Sequence, residues 1–254
     1  MKSLLIILSF LVMGTVSAQE IVVTETASLD QVFGNQIESE EPLPMNDLDV
    51  EFGYVIYQAN VTLESEDAVL EIENIRDYAV VFLGDELQGT MTDNRKKLTL
   101  EADPGEYELR IYVENIGRIT YGPEILDNSK GLFGAIEIDG ETLEGWTMTE
   151  LKVRKTKVQD LDFEPKTETN QPEFYRAYFE ISAPKDMYLD VSGWGMGEVW
   201  INGQYLGSYW EEEKQQSIQV AASALKKGKN ELIVFDLKNN KQSSMKFSSE
   251  PIFK

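Results

Sequence analysis

The 254-residue chain contains no cysteine and no histidine. Without cysteine there is no disulfide to staple the fold, which must stand on its core alone, and no thiolate nucleophile or lipid-modified N-terminal cysteine. Without histidine there is no Ser-His-Asp triad, and with both residue types missing there is no ordinary zinc site. Carboxylates, tyrosines and lysines remain for catalysis. No cofactor is expected, and an all-oxygen calcium site is the one metal site the composition leaves open. Basic residues are scarce as well, with 23 Lys and Arg against 45 Asp and Glu and a net charge of −22. Phosphate binding needs a basic face, so nucleic acid is excluded as an expected partner. No segment shows sustained helical amphipathicity, and only one apolar run is long.

That run lies at the N-terminus. Lys2 supplies a positive start, Leu4 to Val12 is apolar apart from Ser9, and Val16-Ser17-Ala18 before Gln19 fits a secretory cleavage site. Residues 1–18 therefore read as a signal peptide, with an uncleaved anchor as the rival. Cleavage removes one lysine and takes the charge from −22 to −23. The expected product is secreted or periplasmic, with no membrane span after cleavage.

The remainder reads as all-β. Residues 19–52 are acidic and mixed, an extended lead-in with one short helical turn near Leu29 to Phe33 and little core of its own. From Gly53 short β-rich runs alternate with turn residues, predicting a first sandwich over 53–153, a polar linker over 154–172 and a second sandwich over 173–254. The two halves are related. Tyr57-Gln58-Ala59 falls on Tyr175-Arg176-Ala177, and Val81 to Asp85 falls on Val199 to Gly203, both 118 residues on. Pro104 to Leu109 falls on Lys227 to Leu232, 123 residues on, which one loop insertion explains. An internal duplication of two β-sandwiches follows.

Ser192 to Trp210 is the most distinctive stretch, with Trp194, Trp200, Trp210, Tyr205 and Tyr209 around the turn pair Asn202-Gly203. A two-residue hairpin there pairs Ile201 with Gln204, Trp200 with Tyr205 and Val199 with Leu206. Both of its faces are largely apolar, as in a sandwich interior or at a contact between domains; the alternative is an aromatic platform for a sugar ring. Phe82 stands at the place of Trp200 in the first repeat, which marks Trp200 as core. The candidate ligand-binding residues are Trp194, Tyr205, Tyr209, Trp210 and Gln204. Glu211-Glu212-Glu213 is the densest carboxylate run and reads as a solvated loop, and Glu114 with Asn115 reads as structural hydrogen bonding.

The run Gly193 to Gly203, with Leu206-Gly207, Tyr209-Trp210 and Leu225 to Glu231, resembles the C-terminal β-sandwich signature of glycoside hydrolase family 35 β-galactosidases. Glu41-Pro42-Leu43-Pro44-Met45 leading into Phe52 to Tyr57, then Val113 to Arg118, Tyr121-Gly122-Pro123, Lys130-Gly131-Leu132 and Glu250-Pro251-Ile252, extend the resemblance from about Ser28 to the end. It implies two tandem jelly-roll, galactose-binding-like domains. Departures are Thr120 where the family usually has Asn, Ser208 where it has Arg, and Glu211 to Gln215 where it commonly reads Gly-Pro-Gln. The barrel that carries the family's catalytic glutamates is missing, so no catalytic residue carries over. The abutting signal peptide suggests a natural short protein.

The leading expectation is thus a secreted, non-catalytic carbohydrate-binding or accessory protein, with a galactoside-type glycan as partner. The alternatives are a β-galactosidase-type hydrolase, cryptic or completed in trans by a separate glycosidase chain, and a structural envelope interaction protein.

Overall fold

The computed structural model describes residues 20–117, 122–238 and 240–254. The expected signal peptide and the Thr120 departure lie outside the described residues. The strands before residue 152 are β1 (Glu20–Ser28), β2 (Phe33–Ser39), β3 (Gly53–Leu63), β4 (Val69–Arg76), β5 (Tyr78–Leu83), β6 (Glu86–Thr92), β7 (Lys97–Thr99), β8 (Gly105–Asn115), β9 (Gly131–Ile138), β10 (Glu141–Thr142) and β11 (Trp146–Leu151). Those after it are β12 (Glu164–Pro165), β13 (Glu173–Ile181), β14 (Met187–Asp190), β15 (Met196–Ile201), β16 (Gln204–Trp210), β17 (Ser217–Val220), β18 (Gly228–Asp236) and β19 (Ser244–Ser248). The fold is all-β, as expected.

Four sheet layers stack around three apolar cores. The outermost layer of the first sandwich runs β10-β9-β4-β7, and its partner runs β2-β11-β3-β8-β5-β6. Between them lies a core that includes Tyr57, Leu70, Val81, Ile111 and Trp146. The second sandwich is one sheet folded on itself, β16-β15-β18-β13-β1-β19-β14-β17, with β12 also paired to β1. Its own core includes Ile21, Trp194, Val199, Tyr209 and Val234. A third core, with Tyr54, Val80, Phe82, Phe174, Trp200 and Phe235, joins the two sandwiches face to face. This explains why every residue of β5 and of β15 is buried: each strand has a sandwich core on one side and the joining core on the other.

The segment before Gly53 is more than a lead-in. The alternation of exposed Glu20 and Val22 with buried Ile21 and Val23 makes β1 a strand of the second sandwich. Glu20–Val22 pair with β19 and Val23–Ser28 with β13, and a bulge between Val23 and Glu25 turns the strand from one half of the folded sheet to the other. The short turn expected near Leu29 is a 3-10 helix over Leu29–Val32, whose two ends are buried. The polar stretch read as a linker is packed too, because Val158 and Leu161 enter the joining core and β12 pairs with β1.

The hairpin forms at Asn202 (φ +52°) and Gly203 (φ +78°), with Ile201 opposite Gln204 and Trp200 opposite Tyr205. Val199 faces Gly207 and not Leu206, because a bulge shifts the register by one. The first repeat carries the same bulge, with Phe82 opposite Leu87 and Val81 opposite Gly89. Gly89 and Gly207 share a φ of +152° and +153°, a region that L side chains rarely adopt. The duplication thus extends to an irregularity of the backbone.

Candidate functional site

Along β15 alternate residues face the joining core, and Glu198 does so between Met196 and Trp200. It is fully buried at 0% exposure. Burial of a lone carboxylate is costly, so its partners must be supplied in full. Tyr54 of β3 donates to Oε1 at 2.8 Å and Tyr205 of β16 donates to Oε2 at 2.6 Å. Arg154, just after β11, adds Nε at 2.6 Å and Nη2 at 2.5 Å to Oε1. The guanidinium also lies over two rings, 4.2 Å from the centroid of Phe52 and 5.3 Å from that of Tyr205. Phe52 and Tyr205 are 43% and 41% exposed, so this ion pair is roofed by aromatics that themselves meet solvent.

Glu114, in the last turn of pairing of β8, is the second carboxyl at this junction. It is 4% exposed and its Oε2 has no hydrogen-bond partner. Burial, and then the charge of Glu198, push its carboxyl up to about 8. It is therefore neutral at pH 7 and able to donate an O–H. The expectation of structural hydrogen bonding holds for Asn115, which donates to the Val50 carbonyl at 3.2 Å and accepts from Gly117 N at 2.8 Å. It holds in part for Glu114, which meets the Tyr54 side chain while its Oε2 is left unmatched.

Glu114 borders a cleft of about 200 Å³ between the sandwiches, walled by Ile116 of the first and by Met196, Ser208, Trp210 and Gln215 of the second. Trp210 is half-buried, edge-on to Tyr78 at 5.3 Å. Its indole N–H has no partner among the described residues. The cleft thus combines a ring, aliphatic contacts, a neutral carboxyl and short polar groups, the usual composition of a small-ligand site.

The five residues expected to bind ligand do not form one platform. Trp194 is 1% exposed, packed edge-on against Tyr175 at 5.6 Å, and donates to the Ser244 carbonyl. Tyr209 is 6% exposed and donates to the Phe235 carbonyl at 3.0 Å. Both belong to the core of the second sandwich, Tyr209 by the alternation of β16 and Trp194 from the loop before β15. Gln204 is exposed at the hairpin turn, away from the cleft lining. Tyr205 is exposed, with its hydroxyl held by Glu198. Tyr209 and Trp210 both line the cleft, and Trp210 is the more exposed of the two. Glu211 is tied to Lys238 and Asn240, while Glu212 and Glu213 are solvated. Among the described residues no group of three or more His, Cys, Asp or Glu side chains is placed to hold a metal.

Sequence reading missed Glu198, Arg154, Tyr54 and Phe52. A usable signal existed in the repeat comparison: Glu198 falls on Val80, and Glu114 falls on Leu237, so each repeat carries a carboxylate where the other is aliphatic. A charge replacing an aliphatic residue on a fully buried strand needs a partner, and a partner search would have pointed to this junction.

Residues 42–152 match the family model described as beta-galactosidase, first all-beta domain, and residues 172–230 match that described as beta-galactosidase, galactose-binding domain. The human beta-galactosidase-1-like protein 2 is 32% identical over 215 residues, covering 80% of this chain and 33% of that protein. The beta-galactosidase of Xanthomonas manihotis is 30% identical over 202 residues, covering 79% of this chain and 33% of that protein. The chain spans about a third of the length of these curated relatives. Among solved structures, the lectin from Pleurotus ostreatus in complex with GalNAc aligns at 9% identity over 94% of this chain and 86% of the lectin. Its TM-score is 0.27, a likeness too weak to carry an argument.

Proposed function

We propose, for a chain built on the first all-β domain and the galactose-binding domain of the β-galactosidase family, a role as a secreted, non-catalytic carbohydrate-binding or accessory protein. In this reading residues 1–18 direct the chain out of the cytoplasm, and the cleft at Glu114 and Trp210 holds one galactoside ring. The observation that carries it is a half-buried tryptophan beside a buried carboxyl that has an unmatched oxygen. A pyranose has an apolar face, which Trp210, Ile116 and Met196 suit, and a rim of hydroxyls, which Ser208, Gln215 and the O–H of Glu114 suit. The volume of about 200 Å³ favours a single ring over a long oligosaccharide.

Glu198 does not serve hydrolysis at this junction. Glycoside cleavage needs two carboxyl groups flanking the bond, one of them free to act as nucleophile or base. Glu198 is fully buried and engaged by Arg154 and two tyrosines, so it is not presented to a substrate. A separate glycosidase chain is the partner this role implies.

Calorimetry with methyl β-galactoside is the direct test, with binding expected at millimolar concentration or below and lost in Trp210→Ala. Turnover of a chromogenic galactoside by the purified chain, abolished by a single carboxylate substitution, would overturn the non-catalytic reading.

A further inference from the structure

A second cavity lies on the second sandwich, away from the cleft between the domains. Its volume is about 530 Å³, and Lys166, Thr167, Glu168, Asn170, Lys241 and Gln242 line it above Tyr175. The bulge of β1 accounts for its position. Around residues 23–25 that strand leaves one half of the folded sheet for the other, and its backbone anchors a wall on each side. Lys166 N donates to the Thr24 carbonyl at 2.9 Å, and Val23 N donates to the Ser243 carbonyl at 2.9 Å. Each wall is thus tied to β1 by a backbone hydrogen bond.

The lining inverts the charge of the molecule. Acidic residues outnumber basic ones 45 to 23 across the chain, yet here two lysines meet one carboxylate, Glu168. Lys166 makes no ion pair among the described residues, and its ammonium lies 5.8 Å from the centroid of the Tyr175 ring. Lys166 also acts on Glu173, which burial raises to about 7 against the pull of the lysine. Glu173 is thus only partly charged at neutral pH and offsets the lysine only in part. The rest of the lining is hydroxyl and amide, which hydrogen-bond a polyhydroxylated ligand.

We propose that this cavity binds an anionic saccharide, with Lys166 and Lys241 holding its carboxylate or sulfate and the flanking hydroxyls and amides holding its ring hydroxyls. The site is independent of the cleft at Trp210 and rests on separate residues. Lysine is well suited to the task as a flexible point charge, and a neutral sugar gains nothing from it.

The test is calorimetry on the full chain at low salt with trigalacturonic acid, a sulfated galactose trisaccharide, neutral galactotriose and inorganic sulfate. The better acidic trimer is expected to bind on the order of tenfold tighter than galactotriose, the size of one charge-assisted hydrogen bond. That margin should shrink as salt is added. The double variant Lys166→Gln/Lys241→Gln, whose side chains lie at the surface, should remove the preference at an unchanged melting temperature. Lys185→Gln, an exposed charge elsewhere, should leave it in place. Which acidic trimer gains more assigns the anion. Equal affinity for acidic and neutral trimers, or a preference that survives the double variant, overturns the proposal. Displacement of the trimer by an equal concentration of inorganic sulfate overturns its saccharide part.

Discussion

In the first repeat β5 sends Val80 and Phe82 into the joining core, and in the second β15 sends Glu198 and Trp200 to the matching places. At the ends of β8 and β18 the exchange is reversed, with Glu114 in the first repeat and Leu237 in the second. The two hairpins share their register and bulge, so this exchange is one of side chains on matching strands. A fold that packs two copies of one sheet against each other can keep an apolar seam, as Val80 and Leu237 do. It can also convert single positions into a polar junction, provided every buried charge finds a partner. Glu198 has found four contacts and is structural; Glu114 keeps an unmatched oxygen and borders open space. The contrast assigns the two carboxylates different roles.

The largest effect should come from leaving Glu198 without its cation. Arg154→Ala is expected to destabilise the chain by about 3–5 kcal/mol in urea denaturation, the cost of an unpaired buried charge. The pair Glu198→Val/Arg154→Met restores the apolar seam of the first repeat and should recover most of that loss. If the single and double variants are equally unstable, the ion pair is not what the junction depends on.

A smaller but sharp asymmetry lies one residue earlier. Ala79 is buried and accommodated in the first repeat, whereas a Cβ on its counterpart Gly197 would lie 1.7 Å from the Phe235 carbonyl oxygen. Gly197→Ala should cost about 3 kcal/mol by overpacking against backbone, and Ala79→Gly only about 1 kcal/mol. Similar losses for the two would show that the repeats pack alike there. Tyr205→Phe removes one hydrogen bond to a carboxylate and should cost roughly 1.5 kcal/mol, while its counterpart Leu87 has no such bond to lose.

Glu114 gives the comparison a pH dependence. Its folded value of about 8 lies above the unfolded one, so the folded state binds more protons between the two. The stability it contributes is complete below the unfolded value near ~4.3 and is lost as pH rises to about 8. The urea midpoint should fall over that interval. Glu114→Gln, permanently neutral, should flatten the slope without abolishing it, since Asp236, raised to about 6, and Glu173, raised to about 7, act in the same direction. An unchanged slope would mean that Glu114 does not titrate in this window. Smallest of all, Gln204→Ala should stay within about 0.5 kcal/mol and leave ligand binding intact.

Much of the fold was legible because β-rich runs and turn pairs recur at regular spacing, and the Asn202-Gly203 hairpin formed where its turn residues placed it. The largely apolar faces of that hairpin pointed to a sandwich interior or a contact between domains, and β15 is buried along its whole length. β1 was not legible, since its partners lie on β13 and β19, far along the chain. The bulge at Gly207 was hidden for a similar reason: one extra residue leaves the composition of the hairpin unchanged and alters only its register. The site was read from aromatic content. Alternation along β16 then turned Tyr209 inward and left Trp210 the more exposed, while the loop before β15 buried Trp194. The carboxylates were visible only as a difference between repeats.

The central claim is that a galactoside sits at Trp210, in the cleft between the two repeats. The four tryptophans give four indole N–H signals in a proton–nitrogen NMR spectrum, and methyl β-galactoside can be titrated against them. The account predicts that the signal of Trp210 moves with saturating ligand while those of the core residues Trp146 and Trp194 stay fixed. Movement at Trp194, or no movement at Trp210 at saturating galactoside, would contradict it.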